Sequence, residues 1–381
     1  MPITLIVDDD PEFASLCEET LGPTGEHEFI IATDDASAIE ILKKMDDLDV
    51  AIVAIDKDNV SGLDLFKKLT GRRVRVPRIA LTGSADLPLI RRAMNDGAAD
   101  FLTRPVAAED LERTIRKVYE DTERRRKAWR TEAQLSAIRR EVDIAGDIQK
   151  RILPTIFPER PGLEVAAILE SAKDMSGDFY DVFEIGDGRI GYVIADVVGK
   201  GIPAAFFMAV ARTLLQATAT AGTPPAECLS QVNDLICRHE ITSMFVSVFY
   251  GVLNPRTWEL TYANGGHLPP VKIGGKIGGT ALIDGGEGVV LGVQSGLLYE
   301  QETLQIDPGD TLFLYTDGLT EAFNQTRDQF GEQRLQDCLS INQGKPTEKL
   351  CRSVLDHIKD FTGGSEAADD MTCLAIHREV S

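Results

Sequence analysis

Positive charge is in short supply. The chain of 381 residues carries 40 Lys and Arg against 61 Asp and Glu, a net charge of −21 at pH 7. Such a surface repels nucleic-acid phosphates and argues against a nucleic-acid partner. Acidity by itself names no other partner; it also serves solubility. Cysteine is sparse and scattered (Cys17, Cys228, Cys237, Cys338, Cys351, Cys373), with no C-x-x-C pair. That usage fits reduced, buried thiols in a cytoplasm rather than a disulfide frame. The histidines (His27, His239, His267, His357, His377) show no zinc spacing, and no Cys/His or Ser/His nucleophile arrangement stands out. Long apolar runs are absent too. The opening MPITLIVDDD is a strand-like stretch cut short by acids, and predicts neither a signal peptide nor a membrane span. The expectation is a soluble cytoplasmic protein with no membrane partner.

What is present suggests two or three domains, with 43% hydrophobic residues to build their cores. Over residues 1–119, apolar runs such as TLIV (4–7), VAIVA (50–54), RIALT (78–82) and DFLT (100–103) alternate with helical segments such as SAIEILKKM (37–45). That alternation predicts an α/β domain, a doubly wound parallel five-stranded sheet with helices on both faces. Its site belongs at the carboxyl ends of the strands. There stand Asp8, Asp9 and Asp10 after the first strand and Thr82 at the end of the fourth.

These features resemble a response-regulator receiver domain, with two departures. Read without gaps, DVAIVAIDKDNVSG (49–62) puts Ala54 where the family's phosphate-accepting aspartate belongs, and Arg104 in FLTRP replaces the family's lysine. Alanine cannot be phosphorylated, and a planar guanidinium is no substitute for a point charge. Asp56 becomes the acceptor only if the loop carries a two-residue deletion. The expectation is a degenerate receiver that signals by binding. Its acidic pocket comprises Asp8, Asp9, Asp56, Thr82 and Arg104, with Asp8 and Asp9 still candidates for Mg²⁺.

Between Pro105 and Pro154 there is no proline and a single glycine, Gly146, among good helix formers. Residues 120–153 are therefore expected to form a helical connector. Leu135, Ile138, Val142, Ala145 and Ile152 make a three-four seam, and Ile115, Val118, Thr122 and Trp129 a weaker one out of phase. Seams on an otherwise polar helix favour a coiled-coil homodimer over a helix folded back on its own domains. Trp129 is expected to be a packing residue.

Residues 154–381 are rich in strand-like runs, among them LEVAAIL (163–169), RIGYVIA (189–195), MFVSVFYGVL (244–253) and TLFLY (311–315), with helical runs in separate blocks. Blocks of that kind predict an α+β domain, two packed antiparallel sheets flanked by helices. Four aspartates sit in turn-like motifs at strand ends: Asp178 in MSGDFYD, Asp196 in IADVVGKG, Asp317 in LYTDGLTEA and Asp369 in ADDMT. Carboxylates gathered in one cleft repel one another and call for hard cations, and oxygen-only ligand sets select Mg²⁺ or Mn²⁺. A pair of such ions can activate water and clamp a phosphate ester for in-line attack.

The four motifs in this order resemble type 2C metal-dependent serine/threonine phosphatases, in the bacterial branch that controls sporulation and stress sigma factors. The resemblance implies a sandwich with two metal ions between its sheets. Asp196 and the Val197 carbonyl would be ligands, Asp178 a ligand or the holder of a bound water, and Asp317 and Asp369 would complete the ligand set of the second metal ion. Asp370 stands where distant relatives carry asparagine and ranks below Asp369; Asp181 lies nearby. All four aspartates are candidate catalytic residues. Gly199-Lys200-Gly201 lacks the spacing of a nucleotide P-loop and reads as a turn into a helix, with Lys200 available to a substrate phosphate. His267, in ANGGHLPP, reads as structural. The implied activity is hydrolysis of phosphoserine or phosphothreonine on a partner protein, by family analogy an anti-sigma-factor antagonist. The alternative is a non-enzymatic adaptor, against which the retained aspartates speak.

Overall fold

The computed structural model describes residues 2–21, 27–45, 47–56, 65, 76–83, 87–220, 222–238, 244–274, 279–283, 288–365 and 367–380. The end of the receiver-like alignment, up to Gly62, lies outside them. The chain forms two compact units, Met1–Ala137 and Ile138–Ser381.

The first unit holds β1 (Ile3–Val7), α1 (Pro11–Leu21), β2 (Glu28–Ala32), α2 (Asp35–Lys44), β3 (Val50–Ala54), β4 (Arg78–Thr82), α3 (Leu87–Asn95) and β5 (Asp100–Thr103). All neighbouring strands are parallel, in the order β2-β1-β3-β4-β5. Successive side chains on a strand point to opposite faces, and the apolar runs fill both. Leu5, Val7, Ala51 and Val53 pack on one side, and Ile6, Val50, Ile52, Ile79 and Leu81 on the other. A sheet buried on both faces explains why these strands read as unbroken apolar runs.

One helix, α4 (Ala108–Ile152), runs for 45 residues. It starts earlier than residue 120, because Leu111, Ile115 and Val118 bury their side chains in the first unit's core. Its middle is solvated: Leu135 and Ile138 are 53% and 57% exposed. Trp129, expected to pack, is 80% exposed. In the last turns Gly146 and Gln149, and just beyond them Leu153, are buried in the second unit.

The second unit contains two five-stranded antiparallel sheets. In the first, β13 (Gln301–Gln305), β10 (Glu259–Gly265), β9 (Val246–Asn254), β8 (Ile190–Val197) and β7 (Phe179–Glu184) lie side by side. In the second the order is β12 (Thr280–Leu282), β11 (Val271–Ile273), β14 (Thr311–Tyr315), β15 (Met371–Arg378) and β6 (Leu163–Glu170). Strand alternation builds the layers. Tyr192, Ile194 and Phe249 meet Leu312, Leu314, Leu374 and Ile376 in a shared core between the sheets. Val193, Ala195 and Val197 face the other way, onto α5 (Ile202–Thr218) and α6 (Pro225–Arg238). Phe313, Tyr315, Cys373 and Ala375 likewise pack against α8 (Gly331–Ile341) and α9 (Thr347–Thr362), and α7 (Asp317–Thr320) is one short turn after β14. Among the described residues no helix is long and apolar enough to cross a membrane.

His267 belongs to this framework. Its Nδ1 lies 2.9 Å from the Ser247 hydroxyl, its N–H donates to Asn264 Oδ1 at 2.7 Å, and its carbonyl accepts from Asn264 Nδ2 at 2.9 Å. Burial lowers its pKa from 6.5 to about 4, with a smaller opposing effect from the Tyr315 backbone. The unfolded chain therefore binds a proton in that window which the folded chain refuses, so stability is present above the unfolded value and lost as pH falls towards the folded one. Denaturant unfolding of the second unit, followed by Trp258 fluorescence, should show on the order of 2 to 3 kcal/mol lost between about pH 6.5 and 4 through this group. His267→Gln should flatten that slope; an unchanged slope contradicts the assignment.

Candidate functional site

Strand register assembles the acids. Phe179 pairs with Ala195, which brings Asp178, one residue before β7, level with Asp196 near the end of β8. In the other sheet Tyr315 pairs with Cys373, and the Thr316 N–H donates to the Thr372 carbonyl at 3.0 Å. Asp317 at the start of α7 and Asp369-Asp370 before β15 therefore meet at one edge of that sheet. Two glycines permit the approach. A Cβ on Gly318 would lie 1.9 Å from the Asp370 carbonyl oxygen, and one on Gly177 would lie 3.0 Å from the Val197 carbonyl oxygen.

The two sheets are tied together through Asp178. Its Oδ2 accepts from Thr316 Oγ1 and from Thr372 Oγ1, each at 2.7 Å. Burial raises its pKa well above the carboxylate range and the Asp196 charge adds to that, while both threonine hydroxyls pull it down. Asp196 is pushed up to about 6, first by burial, then by Asp317, with smaller contributions from Asp369 and Asp370; a hydrogen bond with Asp178 acts the other way. Asp317 is raised by burial, then by Asp369 and Glu321.

Asp370 and Asp369 differ in their partners. Asp370 accepts from the Ala172 N–H, the Ser176 hydroxyl and the Gly177 N–H, each at 2.8 Å. Asp369 is paired with Lys200, whose Nζ lies 2.8 Å from Oδ2 and also donates to the Ala368 carbonyl at 2.5 Å. Lys200 sits on a turn that needs its glycines, with φ of 110° at Gly199 and 80° at Gly201. Asp181 lies apart from the cluster. It pairs with Arg212 at 2.9 Å and accepts from Gln216 at 2.8 Å, and so fastens α5 to β7.

Among the described residues no three His, Cys, Asp or Glu side chains converge closely enough to hold a metal ion as they stand. The donor set nevertheless fits a hard divalent cation. It is all oxygen, and among the described residues the Lys200 ammonium beside Asp369 is the cation that meets it. Ser176, Thr316 and Thr372 were not singled out from sequence. Each lies within two residues of an acid inside its motif, in MSGD, YTDG and DDMT, and that proximity was the available signal.

The receiver-like pocket is a second charged site, within the first unit. The Arg104 guanidinium contacts the buried Asp8 carboxylate, its Nε is 3.8 Å from Asp10 Oδ2, and it stands 5.7 Å over the Phe13 ring. Asp56 forms a separate set: its Oδ2 accepts from Thr82 Oγ1 at 3.1 Å and from the Gly83 N–H. Ala54 is fully buried as the last residue of β3, and Asp9 follows Asp8 in the loop after β1.

Comparison with known proteins finds relatives of both units. Residues 4–116 match the response regulator receiver domain, and residues 186–379 match stage II sporulation protein E. Protein IcfG of Synechocystis is 32% identical over 271 residues, covering 63% of this chain and 42% of that protein. Phosphoserine phosphatase RsbU of Bacillus subtilis is 30% identical over 247 residues, covering 64% of this chain and 71% of RsbU. The structure of the RsbU and RsbW domains of Rv1364c from Mycobacterium tuberculosis superposes with a TM-score of 0.51 at 27% identity, over 57% of this chain and 60% of that one. With an N-terminal receiver domain ahead of this region, the chain belongs to the stage II sporulation protein E family.

Proposed function

We propose that this protein is a metal-dependent serine/threonine phosphatase acting on a phosphorylated partner protein under the control of its receiver-like domain. The observation that carries this is the gathering of Asp178, Asp196, Asp317 and Asp369 at one edge of the sandwich, where burial first and the neighbouring Asp317 next push Asp196 up to about 6. Asp178, Asp196, the Val197 carbonyl, Asp317 and Asp369 would hold two Mn²⁺ or Mg²⁺ ions. When bound, such ions supply positive charge to phosphoryl oxygens and make a water easier to ionise. The chain's own groups do the positioning. Thr316 and Thr372 fix the direction of the Asp178 carboxylate, and Asp370 braces the loop that carries Asp178. Lys200 can exchange Asp369 for a substrate phosphate oxygen.

Similarity to RsbU supports phosphoserine or phosphothreonine as the substrate group. Family analogy favours a cytoplasmic anti-sigma-factor antagonist as the protein that bears it. The exposed Leu135 and Ile138 on α4 favour a parallel homodimer through that helix. Light scattering should read a dimer mass for the full chain; a monomer at tens of micromolar contradicts it.

The receiver-like domain, in this reading, does not take up phosphate. Arginine already neutralises Asp8, and the Thr82 hydroxyl and Gly83 N–H, donors that a phosphoryl oxygen would need, are held by the Asp56 carboxylate. Incubation with acetyl phosphate and Mg²⁺ should leave the intact mass unchanged. A gain of one phosphoryl group, lost in Asp56→Asn, would restore Asp56 as an acceptor.

Turnover of an aryl phosphate and a phosphoserine peptide should require Mn²⁺ or Mg²⁺ and stop with EDTA. Asp196→Asn should cost about a thousand-fold or more in rate, several kcal/mol of transition-state stabilisation. Unchanged turnover in Asp196→Asn and Asp317→Asn would sink the assignment.

A further inference from the structure

The last turns of α4 bear on the acid cluster through one side chain. Gln149 is 6% exposed, donates from Nε2 to the Ser176 carbonyl at 2.6 Å, and accepts at Oε1 from the Ser176 N–H at 2.9 Å. A carboxamide presents a donor and an acceptor side by side, so it satisfies both backbone groups of one residue. Gly146, one turn earlier, lets the helix close on this loop: a Cβ there would lie 2.3 Å from the Asp174 carbonyl oxygen.

Ser176 is held equally firmly on its other side. Its hydroxyl donates to Asp370 Oδ2 at 2.8 Å and accepts from the Asp178 N–H at 3.0 Å, while the neighbouring Gly177 N–H donates to the same Asp370 oxygen. The helix, the loop bearing Asp178 and the segment bearing Asp369 and Asp370 thus meet in one buried hydrogen-bond chain. We infer that Gln149 is a positioning residue for the acid cluster: it clamps Ser176 and thereby sets where Asp178 stands relative to Asp370. Loss of its amide leaves a buried N–H and C=O unpaired and frees the loop to shift. The inference rests on the phosphatase reading, in which these acids hold the cations.

Gln149→Met keeps the side-chain volume and removes both hydrogen bonds; Gln149→Ala removes the packing as well. The full-length wild type and both variants are titrated with Mn²⁺ while the rise in unfolding temperature is recorded, beside aryl-phosphate turnover. The half-saturating Mn²⁺ concentration should rise about tenfold or more in both variants, the range expected when a partner behind a metal ligand is removed. An unaltered Gln149→Met overturns the inference even if Gln149→Ala is impaired, because the loss would then be one of packing. If neither variant folds, amide exchange in the wild type decides. Slow exchange of the Ser176 and Gly177 amides, matching the core strands, supports the clamp, and exchange at the rate of an open loop overturns it. A wild type with neither a Mn²⁺ response nor turnover overturns the phosphatase reading, and this inference with it.

Discussion

Carboxylates do not gather below a protein surface without compensation, and that constraint organises the C-terminal unit. Asp178 and Asp196 face each other across β7 and β8, and Asp317, Asp369 and Asp370 arrive from the opposite sheet. Each charge raises the cost of ionising the next, and removal from water adds to it. The surroundings answer with donors: two threonine hydroxyls on Asp178, three donors on Asp370, an ammonium on Asp369. The donors do not cancel the charge, and Asp196 still stands near 6. A site built this way is under-neutralised by design of its strands and glycines, and divalent cations are what would complete it.

Much of this was legible in the sequence because it is local. Runs such as VAIVA and TLFLY carry their own period, and the four acidic motifs announce turns at strand ends. The braces are not local. Thr316 and Thr372 reach Asp178 across 138 and 194 positions, and Gln149 lies in a polar helix with nothing beside it to mark it. Asp181, next to the motif, turned out to serve Arg212 and Gln216 instead. The strand β7 was hidden inside the motif FYD, and β13 reads QETLQ, an edge strand too polar to show a period. Trp129, on the same helix as the exposed Leu135 and Ile138, finds no packing partner among the described residues of the single chain.

The two charged pockets solve the same problem differently. In the first unit a guanidinium supplied by the chain itself sits on Asp8, and Asp56 finds hydroxyl and amide donors. In the second unit the cation that the described residues place at the cluster is Lys200, on a glycine-flanked turn and shared with a carbonyl. A pocket that is satisfied suits a fixed binding surface. A pocket left short of positive charge suits a site that recruits ions and a phosphate.

The central claim, that the acid cluster is a dication site, is tested most directly by diffraction from crystals grown with Mn²⁺, collected at the manganese absorption edge. The account predicts anomalous peaks between Asp178, Asp196, Asp317 and Asp369, with the Lys200 ammonium displaced from Asp369. Peaks elsewhere, or a cluster that keeps its Lys200–Asp369 pair with no anomalous signal at saturating Mn²⁺, would contradict it.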